Sequence, residues 1–383
     1  MIKGIFPIDK FKTVDTPFYY YDLGLLKQTL TTVNLLAESF GYHVHYALKA
    51  NANKRLLPLI AKAGLGADCV SGGEVNAAVE TGFSSEKIVF AGVGKADWEI
   101  KLGLDNHIFS FNVESIPELE VINQFAAEKD VVASIALRIN PNVDAHTHHY
   151  ITTGLNENKF GFNMEDMEKV IKLLPTLKHV QLIGIHFHIG SQITDMVPFQ
   201  NLCVRVNEIQ EFFEAQGVRL DHINVGGGLG INYEHPNHIP LADFESYFNV
   251  FHKHLQLRPH QTLHFELGRA IVASCGSLIT KTLYVKEGTT KQFVIVDAGM
   301  TDLIRPALYQ AYHHIENISS DASLKQYDVV GPICESSDTF GTDRMLNETK
   351  RGDYIVLRSA GAYGEIMASQ YNLRKLPGVY YSE

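Results

Sequence analysis

The sequence predicts an α/β fold, a (β/α)8 TIM-type barrel, followed by a mostly β C-terminal domain to which the N-terminal strand contributes. Three observations carry that prediction. Eight short apolar runs alternate with helix-like segments over about 230 residues, the pattern of repeated βα units. Polar exceptions gather at the carboxyl ends of those runs, where a parallel barrel builds its site. After Ala270 the texture changes to period-two alternation. The expected division is a barrel over 22–270 and a β domain made of 1–21 and 271–383.

Thr16 to Asp22, with three consecutive tyrosines, reads as an extended strand, either at the edge of a sheet or as the entry strand. Leu25, Leu26, Leu30, Val33, Leu36 and Phe40 recur near one helical face. The eight runs are Val44–Leu48, Ala67–Val70, Ile88–Ala91, Ile108–Phe111, Ser134–Ile139, Leu182–His188, Ile223–Val225 and Leu263–Glu266. Amphipathic segments such as Lys54–Ala63, Gly73–Thr81, Ser115–Glu128, Met164–Leu174 and Pro198–Gln216 separate them. A doubly wound open sheet is the competing arrangement. The fifth run is followed by a polar excursion, Asn140–Tyr150 and then Thr153–Phe162, of the kind that barrel enzymes use for binding loops. Leu278–Glu287 and Gln292–Asp297 flank the Gly288-Thr289-Thr290 turn as a hairpin, and Tyr327–Val330 and Tyr354–Leu357 continue the β style.

The chain has 383 residues, 33 basic and 43 acidic, for a net charge of −10. That balance argues against nucleic acid or an anionic membrane as partner. No stretch reaches the length of a membrane span, and Met1 to Pro17 lacks the pattern of a signal peptide. Four cysteines lie far apart with no Cys-x-x-Cys, so a reduced, cytoplasmic protein is expected.

Lys49 ends the first run, in Tyr46-Ala47-Leu48-Lys49-Ala50-Asn51. It is either a strand-end lysine reaching solvent or an amine desolvated enough to condense with a carbonyl cofactor. Asp68 lies in the second run, ahead of Ser71-Gly72-Gly73-Glu74. Gly226-Gly227-Gly228 follows the seventh run and suits either a tight turn or backbone approach to an anion. Glu266 ends the eighth run, near Arg269. It forms a structural ion pair, or it holds a protonated heteroaromatic nitrogen while Arg269 takes a phosphate or carboxylate. His186 and His188 are two apart; a core histidine or a ring stacked on a flat cofactor fits better than a metal ligand, since no third ligand has recognisable spacing. The clusters His146-Thr147-His148-His149, His235–His238 and His313-His314 are weaker metal candidates, and no metal is expected. Cys334 stands beside Glu335 and Asp338, an acidic setting that suits a neutral thiol rather than a thiolate.

Taken in order, these motifs resemble the barrel-type pyridoxal-phosphate decarboxylases, the group shared with alanine racemase and eukaryotic ornithine decarboxylase. The likeness is greatest to the branch acting on diaminopimelate. It runs from Tyr19–Asp22 to Met367–Asn372 and includes Asp68–Glu74, Thr153–Phe162, His188–Gln192, Asp297–Met300, Arg305–Tyr309, Gly331–Asp338 and Gly361–Gly364. The resemblance implies pyridoxal 5'-phosphate as cofactor and decarboxylation of meso-2,6-diaminopimelate to L-lysine and carbon dioxide. It implies that Lys49 bonds the cofactor, His188 stacks on its ring and Glu266 partners the ring nitrogen. Ser191, Gly226, Gly227, Gly228, Arg269 and Tyr363 match phosphate-end contacts, with Asp68 and Gly268 in the same binding set. Arg269, Arg305, Tyr309, Glu335 and Tyr363 match substrate contacts. Cys334 matches the proton donor, and Cys334 and Glu335 match a pair supplied by the other subunit of a homodimer. Leu267 stands where the family usually has proline. The alternatives are a decarboxylase for another basic amino acid, such as ornithine or carboxynorspermidine, a non-catalytic cofactor-binding relative, and a histidine-rich metal-binding protein.

Overall fold

Eight parallel strands close into a barrel in the computed structural model, which describes residues 6–143 and 159–382. Asp144–Asn158 lie outside the described residues; they hold the His146, His148 and His149 cluster and the first part of the Thr153–Phe162 motif. The chain divides into two units, one of Leu30–Gly230 with Asp243–Gly268, the other of Met1–Thr29, Ile231–Ala242 and Arg269–Glu383.

In chain order the strands are β1 (Phe18–Tyr21), then the barrel strands β2 (His43–Ala47), β3 (Gly66–Cys69), β4 (Ile88–Phe90), β5 (Ser110–Val113), β6 (Ala133–Arg138), β7 (Val180–His186), β8 (His222–Asn224) and β9 (Thr262–Leu267). Each pairs in parallel with the next, and β9 closes on β2 with His45 opposite Glu266 and Tyr46 opposite Leu267. Sequence and structure agree on all eight runs, with ends shifted by one or two residues. Two connections show why the helices start where they do. Ser71 accepts from Glu74 N while Glu74 Oε2 accepts from Val70 N at 2.8 Å. Ser115 and Glu118 repeat the arrangement, with Glu118 Oε2 accepting from Glu114 N at 2.8 Å. The polar Ser71–Glu74 stretch is therefore a reciprocal helix cap, satisfying backbone donors that the first turn leaves open. Outside β9, Tyr247, Phe248 and Phe251 of the helix Phe244–His254 pack on Phe265 with ring centroids 5.0–5.4 Å apart.

The other unit is an eight-stranded sheet built from β1 with β10 (Gly276–Glu287), β11 (Gln292–Val296), β12 (Ile315–Asn317), β13 (Leu324–Val330), β14 (Thr339–Asn347), β15 (Tyr354–Leu357) and β16 (Gly378–Tyr381). The β10–β11 hairpin forms as the alternation predicts, antiparallel through Glu287 and Gln292. β1 enters this sheet antiparallel to β10, Phe18 opposite Ile279. The expectation of an edge strand is corrected here: β16 pairs in parallel along the other side of β1, Phe18 opposite Gly378. All four β1 residues are accordingly buried, and Phe18 and Tyr20 join Phe6, Phe11, Ile279, Tyr354 and Val356 in one cluster.

Candidate active site

The first strand of the barrel stops at Ala47, one residue short of the predicted run, and Leu48–Ala50 make a single 3-10 turn. That turn lifts Lys49 off the strand end. Its side chain keeps 37% exposure, and Nζ stands 3.7 Å from Oδ2 of the fully buried Asp68 on β3. Neither Asp68 oxygen has a hydrogen-bond partner among the described residues. Burial first, then the neighbouring Glu266 carboxylate, push Asp68 up to about 8 against the opposing pull of Lys49. Desolvation thus favours the protonated carboxyl at Asp68.

Glu266 has the opposite fate. Burial alone would raise it, but His186, by charge and hydrogen bond, and then Lys49 outweigh burial and hold it below the usual carboxylate range. Three donors frame it. Asn112 Nδ2 on β5 and Asn224 Nδ2 on β8 reach Oε1 at 3.2 and 2.8 Å, and His186 Nε2 at the end of β7 reaches Oε2 at 2.9 Å. The Asn224 amide is oriented by its other end, since Oδ1 accepts from Gly226 N at 2.9 Å. A carboxylate offers about four acceptor positions, so one remains, on Oε2. The two carboxyls are thus shifted in opposite directions, Asp68 towards its acid and Glu266 towards its anion.

His188 is half-buried just beyond β7, and its Nδ1 accepts from Gly227 N at 3.3 Å. Desolvation, then the Lys49 and Arg138 cations, hold its imidazole well below the usual histidine range, so it stays neutral. The glycines after β8 are demanded by packing before any ligand is considered. A Cβ at Gly226 would sit 2.2 Å from Phe187 O, and one at Gly227 would sit 2.0 Å from Glu266 O. Two of its N–H groups already have side-chain acceptors, Gly226 N in Asn224 Oδ1 and Gly227 N in His188 Nδ1. Ser191 is half-buried in the segment after β7, and Gly268 is packed so that a Cβ would lie 2.9 Å from Ala50 Cβ. Glu114, at the end of β5, pairs with Arg138 at 3.0 Å and accepts from Gly161 N at 3.1 Å, which anchors the far end of the loop after β6.

The second unit gathers its own set. Arg269 Nη1 donates to Tyr233 OH at 2.7 Å, and its guanidinium lies 5.0 Å over the Tyr363 ring. Arg305 opens the short helix Arg305–Tyr309, with Pro306 in its first turn, and stacks 5.1 Å from the Tyr233 ring. Tyr309, at the end of that helix, is half-buried. Cys334 and Glu335 stand exposed on the turn after β13, and Asp338 shapes that turn by accepting from Ile333 N at 2.7 Å and Met300 N at 2.6 Å. Glu335 Oε1 accepts from Tyr371 OH at 2.7 Å. Sequence reasoning missed Asn112, Asn224 and the bond from His186 to Glu266. The available signal was an amide inside each of two apolar strands. Among the described residues, no group of three His, Cys, Asp or Glu side chains is placed to hold a metal ion, and no helix is long and apolar enough to cross a membrane.

A barrel-rim lysine beside a buried acid, with a framed carboxylate that has one acceptor position left, is an arrangement able to take a carbonyl-bearing heteroaromatic cofactor. The orphaned Asp68 oxygens and the open position on Glu266 fit such a group. Residues 26–273 match the family described as "Pyridoxal-dependent decarboxylase, pyridoxal binding domain". The chain is 64% identical over 383 residues to a diaminopimelate decarboxylase of Bacteroides thetaiotaomicron, covering 100% of this chain and 99% of that one. It is 43% identical over 366 residues to a diaminopimelate decarboxylase of Helicobacter pylori, covering 95% of this chain and 89% of that one. A crystal structure of diaminopimelate decarboxylase from Helicobacter pylori complexed with L-lysine superposes with a TM-score of 0.92 at 41% identity, over 98% of this chain and 93% of that one. The chain belongs to the pyridoxal-dependent decarboxylases, and within them to the diaminopimelate decarboxylase family.

Proposed function

We propose that this protein decarboxylates meso-2,6-diaminopimelate to L-lysine and carbon dioxide, the last step of lysine biosynthesis, with pyridoxal 5'-phosphate. The observation that carries the reading is Glu266, held ionised by His186, Asn112 and Asn224 with one acceptor position open. The full-length relatives, and the L-lysine complex of the Helicobacter pylori protein, support the substrate.

When bound, the cofactor supplies a carbonyl for an amine and a protonated ring that accepts the electron pair left as a carboxylate departs. Lys49 Nζ is the amine that would anchor it. Glu266 Oε2 would keep the proton on the ring nitrogen, with Asp68 3.7 Å from Lys49 beside it. His188, kept neutral, would lie against the ring without opposing its positive charge. Ser191, the Gly226–Gly228 segment, Arg269 and Tyr363 would hold the phosphate end. Arg305 and Tyr309, with Arg269 and Tyr363, hold the substrate's distal amino-acid end, which fixes orientation before any bond breaks. Cys334 Sγ donates the proton to the α-carbon, and Glu335 reads the substrate's amino group.

The same reading makes the enzyme a cytoplasmic homodimer in which Cys334 and Glu335 serve the other subunit's site. Its support is that Cys334 alone of the four cysteines is exposed, and that it shares a surface turn with Glu335. The test is carbon dioxide release from meso-diaminopimelate, ornithine, L-lysine and arginine, with and without added pyridoxal phosphate. Cofactor-dependent release from diaminopimelate is expected. Release from another amine instead would overturn the substrate, and no release from a protein that binds the cofactor would overturn the reaction.

A further inference from the structure

His313 and His314 are adjacent in sequence but part company in the fold. His314 Nε2 pairs with Glu316 Oε1 at 2.9 Å. His313, with no exposed surface, turns to Arg305, its Nε2 standing 2.8 Å from Arg305 Nη1. A guanidinium only donates, so Nε2 must accept. The imidazole proton is then on Nδ1, which donates to the Arg358 carbonyl at 2.8 Å. The two bonds fix the tautomer and the ring orientation together. Tyr233 completes the arrangement: its ring lies 5.1 Å from the Arg305 guanidinium and meets the His313 ring edge-on at 5.3 Å and 83°. Through its hydroxyl Tyr233 also takes the Arg269 bond at 2.7 Å.

Arg305 itself is 4% exposed, and its Nε has no hydrogen-bond partner among the described residues. The groups acting on it most strongly are Tyr233, Arg269 and Tyr363, none of them a carboxylate. A buried cation with no counter-ion among the described residues is costly, and receiving an anion offsets that cost. What aims it is then as important as its charge.

We propose that His313, as the neutral Nδ1–H tautomer, and Tyr233 are positioning residues that hold the Arg305 guanidinium in the orientation that receives the carboxylate of the substrate's distal amino-acid end. This rests on the substrate role given to Arg305 above. Burial first, then the Arg305 cation, lower the His313 pKa to about 3, so the acceptor on Nε2 persists throughout the neutral range. A protonated His313 would present a donor to a donor and turn the guanidinium away.

The test uses the cofactor-loaded enzyme and two ligands, L-lysine, which carries the distal carboxylate, and 1,5-diaminopentane, the same diamine without it. His313→Phe removes the acceptor. It should raise the KM for diaminopimelate and the Kd of L-lysine in parallel, by about tenfold or more for a lost bond to a charged group. The kcat and the Kd of 1,5-diaminopentane should stay within about twofold. His313→Gln, whose Oε1 accepts and whose amide donates, should restore most of the lysine affinity. Should the Phe variant fail to fold, His313→Asn, too short to reach Arg305, takes its place. Equal weakening of both ligands, or unchanged lysine binding, would overturn the positioning role. Arg305→Lys separates the two layers: lysine binding indifferent to that change overturns the role of Arg305 itself, whereas sensitivity at Arg305 with indifference at His313 overturns only the present inference.

Discussion

Replacing Glu266 by glutamine keeps the volume and removes the charge, and the structure sets what should follow. Glu266 Oε1 accepts from Asn112 and Asn224, and Oε2 accepts from His186. Glutamine has a single acceptor oxygen. If that oxygen stays with the two asparagines, the new amide N–H faces His186 Nε2, and His186 must move its proton to Nδ1. That nitrogen is buried without a partner, so the flip leaves an unsatisfied donor costing about 1–3 kcal/mol. The folded protein should survive this with a melting temperature lower by a few degrees. The reaction should suffer more. The amide cannot hold a proton on the ring nitrogen, and losing a hydrogen bond to a charged partner is worth about 1.5–3 kcal/mol, or roughly 10–150-fold in kcat. The assay is carbon dioxide release from diaminopimelate at saturating cofactor, with occupancy followed by the cofactor's absorbance. A Glu266→Gln enzyme that is fully loaded and turns over within about twofold of the unmodified protein would refute the reasoning.

Three further predictions follow from particular contacts. Gly227→Ala places a methyl group 2.0 Å from the Glu266 carbonyl, so it should cost at least the ~1–3 kcal/mol typical of overpacking; an unchanged melting curve would contradict this. His45 and His222 in the barrel interior have pKa values lowered to about 4 and about 3, chiefly by burial, so between pH 6.5 and 3 the unfolded chain binds protons that the folded chain refuses. Stability should be full above pH 6.5 and fall as the pH drops, and His222→Leu, which removes a ring with no hydrogen-bond partner on either nitrogen, should flatten that fall; identical pH slopes would count against it. Cys334→Ala should lower kcat by about 10²–10⁴-fold, the range for a positioned proton donor, while leaving cofactor affinity near its starting value; unaltered turnover would place the proton donor elsewhere.

The parts of the site that could be read in advance share a property. Lys49, Asp68, Glu266 and the glycine triplet are chemically out of place at the ends of apolar runs, and a barrel explains such exceptions only as a rim. The parts that could not be read are residues whose oddity is mild. Asn112 and Asn224 each interrupt an apolar strand, as any turn-flanking amide does, and only barrel closure brings β5 and β8 to the same carboxylate. His313 looked like half of a histidine pair, because neighbours in sequence carry no information on which of them faces Arg305, eight residues away. β16 was invisible because four residues of tail show too little alternation to announce a strand, and its pairing with β1 is what turns an apparent sheet edge into a buried one.

The sequence by itself determined the eight-fold alternation, the change to a β sheet after Ala270, and the chemical character of the rim. These follow from local hydrophobic periodicity and from the cost of leaving charge at a strand end, both of which act within a few residues. Tertiary structure alone decided the opposite shifts of the Asp68 and Glu266 carboxyls, the donor frame around Glu266, the packing that requires Gly226 and Gly227, and the tautomer of His313. Each depends on burial and on partners far away in the chain, 154 residues in the bond from Asn112 to Glu266, and desolvation has no value until the barrel is closed.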